Sequence, residues 1–136
     1  MYVISITADP KTTEETAASK SVEVKEEILY SVQVRFPPGC MGFLKVAVFY
    51  GAEQIFPSFA GEWLSGDDEV IEDILIQRLP EVPCKLTVKA YNEAEDYPHT
   101  AIVRLRCITE RELRIMTGRE PAESMLRRLL RGLGLA

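Results

Sequence analysis

The sequence predicts an all-β protein: an antiparallel β-sandwich of about seven strands, Ig-like or jelly-roll-like, with a short C-terminal helical tail. Three observations lead there. Several segments alternate apolar and polar residues with period two, as strands with one face in a core do. Pro- and Gly-rich breaks separate those segments at short intervals. The period changes to a helical one only after Thr109.

Tyr2–Ala8 reads as a first short strand, and residues 9–21 as a polar loop or arm without a core-facing period. Ile28–Phe36 is the clearest strand. Ile28, Tyr30, Val32, Val34 and Phe36 share one face, opposite Leu29, Ser31, Gln33 and Arg35. Pro37 and Pro38 end it, since proline donates nothing to a ladder, and Gly39 suits the positive φ of a type II turn. Phe43–Tyr50 is the next strand, with Leu44, Val46, Val48 and Tyr50 inward. Glu53–Phe56 pairs back on it across Gly51-Ala52. Residues 57–69 form a loop that holds Phe59, Trp63 and Leu64. Val70–Ile76 follows as a strand, Pro80 and Pro83 bracket a turn, and Cys84–Tyr91 and Thr100–Ile108 alternate again. The organisation is therefore a strand and polar arm over 1–21, a sandwich domain over 22–108, and a helical tail over 109–136.

Thr109-Glu110-Arg111-Glu112 has the spacing of a capping box, and Gly118 is placed to stop that helix. Pro121 then suits the first turn of a second helix. Met125, Leu126, Leu129, Leu130 and Leu133 fall on one stripe, with Arg127, Arg128 and Arg131 off it. So short a helix is marginal alone, so these residues are expected to be covered by protein. They are the first candidates for partner binding: the stripe either packs on its own domain or inserts into a groove on another chain.

The net charge is −5, unevenly placed. Residues 1–110 carry 10 Lys+Arg against 18 Asp+Glu, and residues 111–136 carry 6 Arg against 3 Glu. An acidic body argues against a nucleic-acid partner, which needs a basic surface. No apolar run approaches the length of a membrane span. Met1–Ile6 lacks the basic start and apolar core of a leader, so a soluble chain made in the cytoplasm is expected. Three cysteines and no CxxC point away from a disulfide framework. Cys84 and Cys107 read as small buried hydrophobes, and Cys40, on a turn, as an exposable thiol.

No catalytic or metal constellation stands out, and no cofactor is expected. His99 is the lone histidine, which excludes the usual His-rich metal sites. A Cys40–His99 nucleophile pair has no local signature. Asp67, Asp68, Glu69, Glu72 and Asp73 lack the spacing of a calcium loop and read as a solvated acidic face. Phe56, Phe59 and Trp63 offer a second candidate, an aromatic platform for a ligand or carbohydrate, although covering the end of the core is the favoured reading.

Val32-Gln33-Val34-Arg35-Phe36-Pro37-Pro38-Gly39-Cys40-Met41-Gly42 is followed by Val46, Phe49, Gly51, Gln54 and Pro57, then Gly61-Glu62-Trp63 and Gly66-Asp67-Asp68. With Tyr91-Asn92-Glu93 and His99–Arg104, this pattern over residues 28–106 resembles a family of small β-sandwich proteins encoded among the structural genes of tailed viruses and proviruses. The resemblance implies a virion-associated structural role, such as capsid decoration or a tail or connector component, and no catalytic residue. The expectation is a non-enzymatic assembly protein whose partners are protein subunits, its own copies included, forming a homo-oligomer.

Overall fold

A computed structural model describes residues 1–118. These hold eight strands: β1 (Tyr2–Ala8), β2 (Ala18–Val24), β3 (Ile28–Phe36), β4 (Leu44–Tyr50), β5 (Glu53–Phe56), β6 (Glu69–Arg78), β7 (Cys84–Asn92) and β8 (His99–Ile108). A 3₁₀ turn at Glu14–Thr16 precedes β2, and helix α1 (Glu110–Met116) follows β8.

The strands form two antiparallel sheets, ordered β1-β8-β3-β6 and β2-β7-β4-β5. First pairs with last, second with seventh, third with sixth and fourth with fifth. The chain is one long hairpin wound into a double sheet, which is the jelly roll among the two expected topologies. Alternate residues of facing strands fill the space between the sheets. Ile4, Ile6, Val32, Val34, Phe36, Val103 and Leu105 on one sheet meet Leu44, Val46, Val48, Leu86, Val88 and Ala90 on the other, all buried.

Two expectations need correction. The polar arm of residues 9–21 is not all loop, because β2 begins at Ala18 and pairs with β7 along its length. Most of β2 is exposed, and only Val24 is fully buried. The pattern is faint because position 20 of its inner row is Lys20, whose ammonium donates to the Ser5 carbonyl across the sandwich at 2.7 Å.

The uninterrupted alternation of β3 is also corrected. Register against β8 slips between Leu29 and Ser31, the signature of a β-bulge. Leu29 therefore joins Val32 in the main core. Ile28 and Tyr30 turn outward, where they pack with Ile108 and Leu113. That small second cluster seats α1 on the outside of the first sheet. The helix starts as expected: Glu112 N–H donates to the Thr109 hydroxyl, and Thr109 N–H donates to the Glu112 carboxylate. Arg78 Nε donates to Glu110 at 2.7 Å, fastening α1 to the end of β6. Gly118, at φ 75°, closes the helix with its N–H on the Ile115 carbonyl. The leucine stripe from Met125 to Leu133 and its arginines lie outside the described residues.

Candidate functional site

The loops are held from within. Asp67 Oδ1 accepts the N–H groups of Gly39 and Met41, both at 3.1 Å, and so clamps the turn after β3, where three residues have positive φ. Gln54 organises the next loop. Its amide nitrogen donates to the carbonyls of Pro57, Phe59 and Glu62, and its oxygen accepts the Gly61 N–H. Asn92, fully buried, donates to the carbonyls of Ala8 and Tyr97 and accepts the Ala94 N–H. Among the described residues no buried side-chain nitrogen or oxygen lacks a hydrogen-bond partner. The polar groups inside this protein are engaged in holding the fold.

The cysteines are likewise structural. Cys84 and Cys107 are buried in strands. Cys40 is not an exposed turn thiol: it is buried, and its Sγ donates to the carbonyls of Pro37 and Gly66. Burial raises the Cys40 thiol above its ordinary pKa, the opposite of what a nucleophile needs. The acidic run is spread out: Asp67 caps a turn, Asp68 lies 3.7 Å from Arg35, and Glu72 accepts weakly from Gln33.

The aromatic platform of Phe56, Phe59 and Trp63, the alternative to core cover, is not assembled from these three residues. Phe56 is buried in the core, Phe59 is 72% exposed on the loop, and Trp63 packs elsewhere. Its ring meets Phe49 at 5.6 Å and Tyr91 edge-on at 4.8 Å, on the outer face of the second sheet. Lys89 covers Phe49, 4.8 Å from the ring centre. Phe49 and Tyr91 belong to the pattern of residues 28–106, but nothing in the sequence joined them to Trp63, because each sits at an outward position of its strand and only the fold of the Gln54 loop brings Trp63 between them. Beside Tyr91 an open groove is lined by Thr12, Thr13, Glu14, Glu15 and Glu93. Burial, then the carboxylates of Glu14, Glu93 and Glu15, raise the tyrosine pKa. The rings are packed mainly against one another, and the groove beside them is wide and shallow.

A different surface is exposed along β6. This ten-residue strand ends the first sheet, so one side of its backbone faces no strand. Ile71 and Leu75 lean on the core, while Val70 (47%), Ile74 (61%) and Ile76 (41%) are exposed. Glu69, Glu72 and Asp73 are interleaved with them. The two long sides of the sandwich differ. At β1 and β2 the sheets are latched by Lys20 on Ser5, by the Tyr2 hydroxyl donating to Glu26 at 2.9 Å, and by the Lys25 N–H donating to that hydroxyl. On the side of β5 and β6 the Tyr50 hydroxyl donates to Glu81 in the β6–β7 turn at 3.0 Å, and among the described residues no side-chain hydrogen bond joins β5 to β6 themselves. A cleft of about 360 Å³ lies there instead, between Tyr50, Gln54 and Ile55 on one lip and Gln77 and Leu79 on the other.

Fold and surface together define a jelly-roll sandwich with a structurally committed interior and one open edge. No family model matches the chain, and no curated protein matches it. It is similar to the solved structure described as "Crystal structure of PirA", at 18% identity and a TM-score of 0.38, over 78% of this chain and 94% of that one. A likeness that loose carries no argument about function. Among the described residues no helix is long and apolar enough to cross a membrane.

Proposed function

We propose that this protein is a non-catalytic binding and assembly module that docks protein subunits on the open edge formed by β6. The observation that supports this most directly is the ten-residue free strand with Val70, Ile74 and Ile76 in solvent. A strand edge offers unpaired N–H and C=O groups to a partner, and an apolar row beside it adds area to bury. The resemblance over residues 28–106 supplies the setting, a particle component of capsid, tail or connector. Jelly rolls recur in viral capsid subunits, which agrees with that setting although a fold alone does not assign a role. Sedimentation velocity over a concentration series tests the reading. The wild-type chain is expected to form a homo-oligomer, and Ile74→Lys to shift it towards monomer at least tenfold in concentration. A wild-type chain that stays monomeric at every concentration defeats it as a self-assembly module.

The alternative, a ligand- or carbohydrate-binding module, now rests on Phe49, Trp63 and Tyr91 rather than on Phe56 and Phe59. Trp63 is the lone tryptophan, so its fluorescence reports directly on that face. A saturable shift with a glycan, abolished by Tyr91→Ala, supports this reading over the first.

A further inference from the structure

Resting on the assembly reading, we propose that the occupant of the β6 edge is the leucine- and arginine-rich segment 121–133 of a second copy of this chain. Charge, length and connection argue for it together.

The first argument is charge. Within β6, Glu69, Glu72 and Asp73 are acidic and exposed, and Arg78 at its far end is paired with Glu110. Two such edges laid against each other bring carboxylate to carboxylate, so β6 disfavours another β6. It calls for a partner that is basic and apolar at once. The chain carries one such segment. Arg127, Arg128 and Arg131 flank the stripe of Leu126, Leu129, Leu130 and Leu133.

The second argument is length. Val70 to Ile76 covers six residue steps, at most about 20 Å, because β6 is irregular between Ile74 and Gln77 and Ile76 has positive φ. Thirteen residues from Pro121 to Leu133, at the rise their 3.6-residue period implies, also span about 20 Å. The leucines can cover Val70, Ile74 and Ile76 while the arginines reach Glu72 and Asp73.

The third argument is connection. Helix α1 is fastened to the end of β6 by Arg78 and Glu110, and a groove runs between Ile76, Leu113 and Thr117. The chain therefore leaves Gly118 beside the surface that the segment fits. Only Arg119 and Glu120 separate Gly118 from Pro121. Exchange of the segment between copies follows from the assembly reading, since a segment returned to its own copy would bring no second subunit to the edge. Exchange also gives a closed, two-fold arrangement in which each copy supplies one segment and one edge.

The test is complementation in the full chain. One variant carries Arg127→Glu, Arg128→Glu and Arg131→Glu. The other carries Glu72→Arg and Asp73→Arg, both exposed positions whose change leaves the core untouched. Each alone is expected to associate at least tenfold more weakly than wild type by sedimentation velocity. Mixed in equal amounts, the two are expected to form a heterodimer of near wild-type affinity, because every segment then meets an edge of opposite charge. Failure of the mixture to associate overturns the proposal, as does unaltered association of either variant alone. If removing residues 119–136 leaves association intact while Ile74→Lys abolishes it, the edge reading stands and the segment is not its occupant. If the wild-type chain is monomeric throughout, both fail together.

Discussion

Asn92 offers the sharpest test of how this sandwich is held closed. It is fully buried at the end of β7. Its amide nitrogen lies 2.8 Å from the Tyr97 carbonyl and 3.3 Å from that of Ala8, and its oxygen 3.0 Å from the Ala94 nitrogen. One side chain thus ties the end of β1 and the β7–β8 turn to the strand. Asn92→Ala removes three hydrogen bonds, each with a net contribution of about 1 kcal/mol, and leaves groups that water reaches only in part. The expected loss is about 3 kcal/mol. With an unfolding entropy of roughly 2.1 cal/mol/K per residue, that lowers Tm by about 10 °C in a chain of this size. Asn92→Asp is nearly isosteric yet points a carboxylate oxygen at two carbonyls. It is expected to be less stable than the alanine variant at pH 7. Its carboxyl is held above the ordinary range in the folded state, so the unfolded state loses its proton first as pH rises. Stability therefore falls from about pH 4 upward and returns on acidification. Urea melts of the three proteins at pH 7 and pH 4.5 decide the matter. An aspartate variant as stable as wild type at pH 7, or an alanine variant within 1 kcal/mol of it, refutes the account.

Gln54→Ala should cost about 1–2 kcal/mol and release the loop that holds Trp63, seen as a red shift and easier quenching of its fluorescence; an unchanged spectrum denies Gln54 that role. Asp67→Ala should destabilise by about 2 kcal/mol, since a charged acceptor of two N–H groups is lost, whereas Asp67→Asn retains an acceptor and loses less; chemical denaturation orders the two. Burial, with a smaller contribution from Glu26, pushes the Cys107 thiol from 9.0 up to about 12. The unfolded chain gives up this proton first, so the Cys107 contribution to stability falls as pH rises from about 9 to about 12. Comparing urea midpoints of wild type and Cys107→Ala at pH 8 and pH 10.5 isolates it, and parallel pH dependence in both proteins would argue against it.

The strands that face a core on one side were legible, because β7 keeps strict alternation from end to end and β8 keeps it as far as Cys107. The bulge in β3 was hidden because Ile28 and Leu29 are both apolar. Either can be the inward residue, and only the pairing with β8 chooses Leu29. Strand β2 was hidden because an edge strand needs few apolar residues and spends one inward position on Lys20. Gln54, Asp67 and Asn92 fall within the pattern of residues 28–106, but that pattern does not state what they bind. Their partners lie up to 84 positions away in the chain, and no local pattern announces such contacts. The aromatic site was half legible: Trp63 stood out by rarity, while its neighbours Phe49 and Tyr91 depend on which strand lies beside which.

The four sheet edges are treated differently, and that difference carries the functional argument. An open edge is a liability unless it is short, charged, blocked or used. Strand β5 is only four residues long, and beyond it Leu64 pairs with Val46 along the same border. Strands β1 and β2 guard one another through Lys20, a charge turned inward at an edge. Strand β6 is neither short nor latched to the facing sheet; it carries a bulge between Ile74 and Gln77, with Ile76 at φ 50°, and three exposed carboxylates. It is ten residues long and keeps Val70, Ile74 and Ile76 in solvent. Its acidic side chains block like edges but not basic partners, which is selectivity by repulsion rather than simple concealment. If β6 only had to stay unpaired, replacing Val70 and Ile74 by lysine or threonine would give the same protection without an apolar row in water. The acids with the apolar row make sense together when one kind of partner is admitted and the others are refused.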